Sequence, residues 1–218
     1  MTTPFPASAS LTNLLYQTNL AMKSLPDFPL LRRAKLSQLF VDRNITHFHE
    51  AIACLKRLPY QRTSEARELS CVLSKSGGSF TARNALLVQL AHEQGVSDLR
   101  LSLCMHEFDQ NCAGVRDILS RQGLINFPEA RGCIKYQGQL FTVASDALCL
   151  NAEVLSEIEI APAQIGVFKQ RYHKNYLGNW LQLEKLDQIW SVETLWSVRT
   201  ECLRHIAMQW NECLRSVL

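Results

Sequence analysis

The chain has 218 residues, 47% hydrophobic and 20% charged, enough apolar material to bury a full core as one domain or as one domain with a helical extension. Its 23 basic and 20 acidic side chains leave a net charge of +3, with no Lys/Arg-rich run and no basic stripe interleaved with aromatics, so no nucleic acid is expected as a partner. The N-terminus lacks a basic stretch leading into an apolar one, and no apolar run approaches the ~20 residues that span a bilayer, which leaves a cytoplasmic protein with no membrane partner as the expectation. The eight cysteines (54, 71, 104, 112, 133, 149, 202, 213) have no CxxC pair and no zinc-ribbon spacing, and read as reduced, mostly buried thiols.

Residues 1–9, rich in Pro, Ser, Thr and Ala, read as a flexible tail, and 10–218 as a single domain with a helical extension from about 184. Leu11, Leu14, Leu15, Leu20 and Met22 predict a first helix that Pro26 and Pro29 end. "LLRRAKLSQLFVD" predicts a second. "NITHFHEAIACLKRL" follows, with Ile45, Phe48, Ile52 and Leu55 at helical spacing, Asn44 or Thr46 as N-cap, and Pro59 to close it. From Gly78 to Gly95, Leu86, Leu87, Leu90 and Ala91 recur at helical intervals, with Gly95 where a C-terminal stop belongs. "LRLSLCMHEF" alternates: Leu99, Leu101, Leu103 and Met105 point one way and Arg100, Ser102, Cys104 and His106 the other, as in a half-buried strand. A loop with Asn111, Gly114 and Gly123 comes next. "RGCIKYQGQLFTVAS" then predicts two strands around a Gln137-Gly138 turn.

Beyond residue 150 the pattern reads as helical again. Ile165, Phe168, Tyr172 and Tyr176 share one face, and from Ser191 to Leu218 the residues Leu195, Val198, Cys202, Ile206, Trp210, Cys213 and Leu214 trace an apolar stripe. Helices, then an antiparallel sheet, then helices make an α+β protein.

"LPYQRTS" (58–64), a glycine lead-in to "ARNALLVQLAHEQG", "LINFPEARGCIKY" (124–136) and the segment Val154 to Trp180 occur in an order and spacing that resemble bacterial proteins of the transglutaminase-like superfamily. Those relatives carry text like LPYGRNS, GTCSTKHALL, PEAHNYLK and FDLT, and the likeness covers roughly residues 45–180. The resemblance implies a papain-like fold, a helix packed on an antiparallel sheet, with N- and C-terminal helices added. It also implies where a Cys-His-Asp triad would stand. Reading back from "NALLVQLA" without a gap, the cysteine position holds Phe80, the Lys-His pair is Arg83-Asn84, the histidine position holds Arg131 and the aspartate position Thr142. Phe cannot attack, Arg is no general base, and Thr has no imidazole to orient.

Ser79 reaches the nucleophile position if the glycine lead-in slides by one residue; otherwise it caps the helix, the commoner role of Ser there. Cys133, two residues past Arg131, shares its strand face and is either a second candidate nucleophile or a buried thiol. Arg131, with Arg83 and Ser79, is a candidate for holding a carboxylate or phosphate. His47, His49 and His106 do not promise the three or four converging ligands of a zinc site, so no metal and no cofactor are expected. His173 reads as structural, and Trp180, Trp190, Trp196 and Trp210 as core or interface anchors.

The functional expectation is therefore a catalytically degenerate binding module for a small molecule or a protein partner, working through a repurposed cleft. One alternative is an acyl-transfer or hydrolytic enzyme using Ser79 or Cys133, in a biosynthetic pathway. The other is the structural subunit of an oligomer or complex, including a homo-oligomer through the C-terminal helix.

Overall fold

In the computed structural model, which describes residues 23–61, 68–110, 115–143 and 153–217, the chain after Pro26 first runs extended. Pro29 bridges His47 in an isolated antiparallel contact, and the Leu30 N–H donates to the Thr46 carbonyl. The expected helix at Leu11–Met22 lies outside the described residues. Helix α1 covers only Lys35–Val41, less than "LLRRAKLSQLFVD", because Leu31 instead exchanges backbone hydrogen bonds with the Gln94 amide at 2.9 and 3.0 Å. Helix α2 spans Phe48–Lys56 and is capped at His47 rather than at Asn44 or Thr46. Glu50 sets that boundary, since its Oε2 accepts the Thr46 and His47 N–H groups at 2.7 and 3.1 Å. A single turn, α3 (Cys71–Ser74), was not expected.

Helix α4, Phe80–Glu93, starts and stops as the sequence predicts. Ser79 is its N-cap, with Oγ accepting the Ala82 N–H at 3.2 Å, and Gly95 adopts φ +82 while the Val96 N–H reaches back to the Ala91 carbonyl. Every residue from Ala82 to Val88 is buried, so α4 is a central helix and not an amphipathic surface one.

Strands β1 (Arg100–Asp109), β2 (Asn126–Tyr136), β3 (Gln139–Phe141) and β4 (Val154–Ile160) form one antiparallel sheet in the order β3-β2-β1-β4. Gln137 and Gly138 carry φ values of 49 and 78, the paired left-handed conformation of a two-residue hairpin loop. Between β1 and β2, where the sequence predicts only loop, Arg116–Arg121 forms helix α5 and buries Ile118 and Leu119; Asn111 and Gly114 lie outside the described residues. Strand β4 replaces the start of the expected helical region. Ser156, Ile158 and Ile160 turn inward opposite Met105, Leu103 and Leu101, while Glu157 and Glu159 turn out. A turn of 3-10 helix at Pro162–Ile165 leads into α6 (Val167–Leu183), and α7 (Val192–Val217) ends the described chain.

Helices cover both faces of the sheet. On one side Leu101, Leu103, Met105, Ala130 and Ile134 join α1, α2 and α4 in the main core. On the other, Phe108 and Phe127 join Ile118 and Leu119 of α5, Leu177 and Leu181 of α6, and the α7 stripe of Leu195, Val198, Cys202 and Ile206. Strand β1 is therefore buried on both faces, and Ser102, Cys104 and His106 are not its solvent side as alternation suggested.

The main helix meets the sheet at Gly132. A Cβ there would lie 2.7 Å from Thr81 Cγ2, and the Gly132 N–H donates to Thr81 Oγ1 at 3.0 Å. A side chain there would meet the Thr81 methyl, so either Thr81 or α4 would have to shift. Gly132→Ala should cost about 1–3 kcal/mol of stability by overpacking. Combined with Thr81→Ser, which keeps the hydroxyl and removes the methyl, the same change should cost clearly less in urea denaturation. Equal costs in both backgrounds would mean that the Thr81 methyl is not what excludes a side chain.

Candidate functional site

The glycine lead-in fixes the start of α4 through a buried cation. Arg83 is fully buried and points back under the turn: Nε and a terminal nitrogen donate to the Gly78 carbonyl at 3.1 and 2.9 Å, and further bonds reach Pro59 and Leu55 carbonyls at 2.8 and 3.2 Å. Burial lowers its pKa to about 10, against a weaker opposing effect of Tyr60, so it stays charged at neutral pH. Arg83 thus ties three chain segments together, and its guanidinium does not line the cleft described next. Phe80, in the first turn, stacks edge-on against Tyr60 and Trp210 with ring centroids 5.0 and 5.1 Å apart. An aromatic cluster fills the position where the resemblance puts a thiol.

Beside this cluster lies a small cleft of about 70 Å³ between the start of α4, the strand β2 from Glu129 to Gly132, and helices α6 and α7. Ser79, Phe80, Arg131 and Thr142, distant in sequence, all line it, as do Lys169 and Arg199. By the pleat, Arg131 belongs to the face turned away from α4, opposite Cys104. It still reaches the cleft, because among the described residues β3 pairs only with Ile134–Tyr136 and leaves the rest of the β2 edge uncovered. Among the described residues Arg131 makes no hydrogen bond. Burial lowers the pKa of its guanidinium, and the Glu129 carboxylate partly offsets this.

Among the described residues Glu129 is the one carboxylate lining this cleft, and it is already engaged. Arg199 of α7 binds it with two hydrogen bonds, Nε to Oε2 at 2.5 Å and a terminal nitrogen to Oε1 at 2.8 Å, both partners buried. Trp196 stacks on the Arg199 guanidinium at 4.4 Å. Burial alone would raise the Glu129 pKa, but Arg199 and then His173 outweigh it and hold the carboxyl at about 2. His173, buried in α6, has Nε2 2.9 Å from the Pro128 carbonyl; burial, in spite of Glu129, lowers its pKa to about 4, so it is neutral. The structural role read for His173 agrees with this setting.

Cys133 shares the Arg131 strand face, as expected, but it does not line the cleft. It sits beneath, 3% exposed, with Cys104 and His106 of β1, and the ligand atoms of these three lie within 4.8 Å of one another. The two thiols shift in opposite directions: Cys133 is pulled below the usual thiol range, chiefly by Cys104, and Cys104 is pushed above it by Cys133. Of the histidines read together at the outset, His47 caps α2 and the His49 Nε2 lies 2.8 Å from the Leu25 carbonyl, so neither converges on His106. The sequence reading missed Glu129, Lys169, Arg199 and the Cys104-His106 pair as site residues. Only the last left a signal, a Cys-x-His spacing on one strand face.

Comparison with family models, with curated proteins and with solved structures found no match to this chain.

The Glu129–His173–Arg199 group makes the fold acid-sensitive with a defined sign. His173 takes up a proton near 6.5 when unfolded and near 4 when folded, and Glu129 near 4.5 against about 2. In both cases the unfolded chain binds more protons, so stability falls as pH drops from about 6.5 to 4 through His173 and from about 4.5 to 2 through Glu129. The His173 part is on the order of 3 kcal/mol. Urea midpoints measured from pH 7 to 4 should fall, and His173→Gln should flatten the upper part of the curve. Removing one partner of the ion pair, Arg199→Met, should cost about 3–5 kcal/mol at pH 7, and adding Glu129→Met should restore part of it.

Proposed function

We propose that this chain is a catalytically degenerate member of the transglutaminase-like superfamily that binds a small anionic ligand, a carboxylate or a phosphate, in the cleft at the start of α4. The carrying observation is Arg131, a cleft-lining guanidinium with no hydrogen-bond partner among the described residues, next to a helix N-terminus and the hydroxyl residues Ser79 and Thr142. A planar fork of donors beside the positive end of α4 suits a carboxylate or phosphate oxygen pair. The placement of α4 against an antiparallel sheet, with Phe80 and Arg131 at one cleft, supports the superfamily reading.

The same geometry speaks against chemistry through Ser79 or Cys133. The Ser79 hydroxyl caps α4, no histidine lines the cleft, and Glu129 is bound on both oxygens by Arg199 and held near 2, which makes it a weak base. Cys133 lies outside the cleft lining. An oligomer through the C-terminal helix gains no support either, because the α7 stripe that motivated it is turned into the core and Trp210 is buried against Phe80. No helix among the described residues is long and apolar enough to cross a membrane.

Titration calorimetry of the full chain with inorganic phosphate and with acetate should show saturable binding that weakens with salt. Arg131→Gln should weaken it about tenfold or more, the worth of a hydrogen bond to a charged group. Equal affinity in that variant would sink the anion site. Covalent labelling of Ser79 or Cys133 by acyl probes, read by intact mass, would instead return the chain to the enzymes.

A further inference from the structure

Cys104 and His106 stand two residues apart on β1, and Cys133 on β2 pairs with Ser102, so it is the diagonal neighbour of Cys104 on the same sheet face. All three side chains are buried, Cys104 at 0% and His106 at 4% exposure, and their ligand atoms lie within 4.8 Å of one another. No other group of three or more His, Cys, Asp or Glu side chains among the described residues is gathered so closely. His106 has neither ring nitrogen hydrogen-bonded, although both are shut off from solvent. Buried polar atoms are nearly always paired, and an orphaned one costs about 1–3 kcal/mol, so an imidazole with two orphans needs a reason.

We propose that Cys104, His106 and Cys133 form a binding site for a zinc-class thiophilic divalent metal ion. Two sulfurs and one imidazole nitrogen are the donors that zinc prefers, whereas magnesium and calcium take oxygen. A tetrahedral ion with Zn–S near ~2.3 Å and Zn–N near ~2.0 Å needs donors roughly 3.4–3.8 Å apart, a small contraction from the spread seen here. Charge also balances: binding releases both thiol protons, and two thiolates on a divalent ion leave a neutral centre that a buried sheet face tolerates. The ladder between β1 and β2 holds all three ligand-bearing residues in register before any metal arrives, so the cost of ordering their backbones is already met by the fold. Three protein ligands leave the fourth tetrahedral position to a water or a small anion. This site is independent of the anion cleft, and neither reading needs the other.

The full chain, purified under reducing conditions and dialysed against zinc and then against metal-free buffer, should retain one equivalent of zinc by elemental analysis. Cobalt substitution of the unaltered chain should give the intense thiolate-to-metal absorption of a tetrahedral sulfur site, a readout that needs no variant. Cys133→Ser and His106→Gln should each lower zinc affinity by tenfold or more, while Cys54→Ser leaves it unchanged. A folded unaltered chain that retains no zinc and gives no cobalt-thiolate band would overturn the proposal, as would a Cys104–Cys133 disulfide in the reduced preparation.

Discussion

Asn84 holds the centre of this molecule. Its amide, fully buried in α4, donates to the Gly132 carbonyl at 2.7 Å and to Thr142 Oγ1 at 3.0 Å, and its oxygen accepts the Val143 N–H at 3.0 Å. One side chain thereby joins the main helix, the central part of β2 and the chain just after β3. Each of those groups would cost about 1–3 kcal/mol if buried without its partner, so the seam either forms whole or is strongly penalised. Gly132 lets the helix come close enough for this to happen, and Thr81 spans the remaining gap. The distance between the first turn of α4 and Arg131 is a consequence of that seam. So is the shape of the cleft between them.

Much of the α+β order could be read from the chain because local and global preferences agree there. Ser79 and Gly95 bracket α4, and Gln137-Gly138 can take the two left-handed conformations a tight hairpin needs. Reading failed where burial did not follow polarity. Ser102, Cys104 and His106 look like a solvent face but are covered. "VLSEIEI" at β4 is an edge strand with few buried residues, and its acidic, half-apolar composition is as compatible with an exposed helix. Arg83 is the sharper case. A charged residue early in a helix is ordinarily solvated, and only the folded chain brings the Leu55, Pro59 and Gly78 carbonyls around it. The Glu129–Arg199 pair spans 70 positions of sequence and has no local signature at all.

Among the described residues the cleft combines strong electrostatics with a shortage of proton acceptors. Arg199 neutralises Glu129 in a desolvated bidentate pair, and Arg131 lines the cleft at the start of a 14-residue helix whose field has the same sign. Acyl-transfer chemistry needs a base beside its nucleophile. Donors alone can hold an anion and cannot take a proton from a hydroxyl or a thiol. Phe80 is consistent with that balance, because an aromatic ring against Tyr60 and Trp210 secures the helix start by packing rather than by reactivity.

The two faces of β2 divide the structural and chemical work by pleat alone. Ala130, Gly132 and Ile134 face α4 and tolerate little more bulk, while Glu129, Arg131 and Cys133 face the other way. On that second face the register sets His106 against Glu129, Cys104 against Arg131 and Ser102 against Cys133. The thiols and the Arg131 guanidinium are therefore cross-strand neighbours of one another. The guanidinium of Arg131 favours the thiolate form of Cys133, whereas Cys104 is pushed the other way by Cys133 and by burial. A one-residue slip of β2 against β1 would turn Glu129, Arg131 and Cys133 into the packed α4 face, where a glycine is the residue that fits against Thr81. The same steric limit that seats the helix thus keeps the reactive groups together on the opposite side of the sheet.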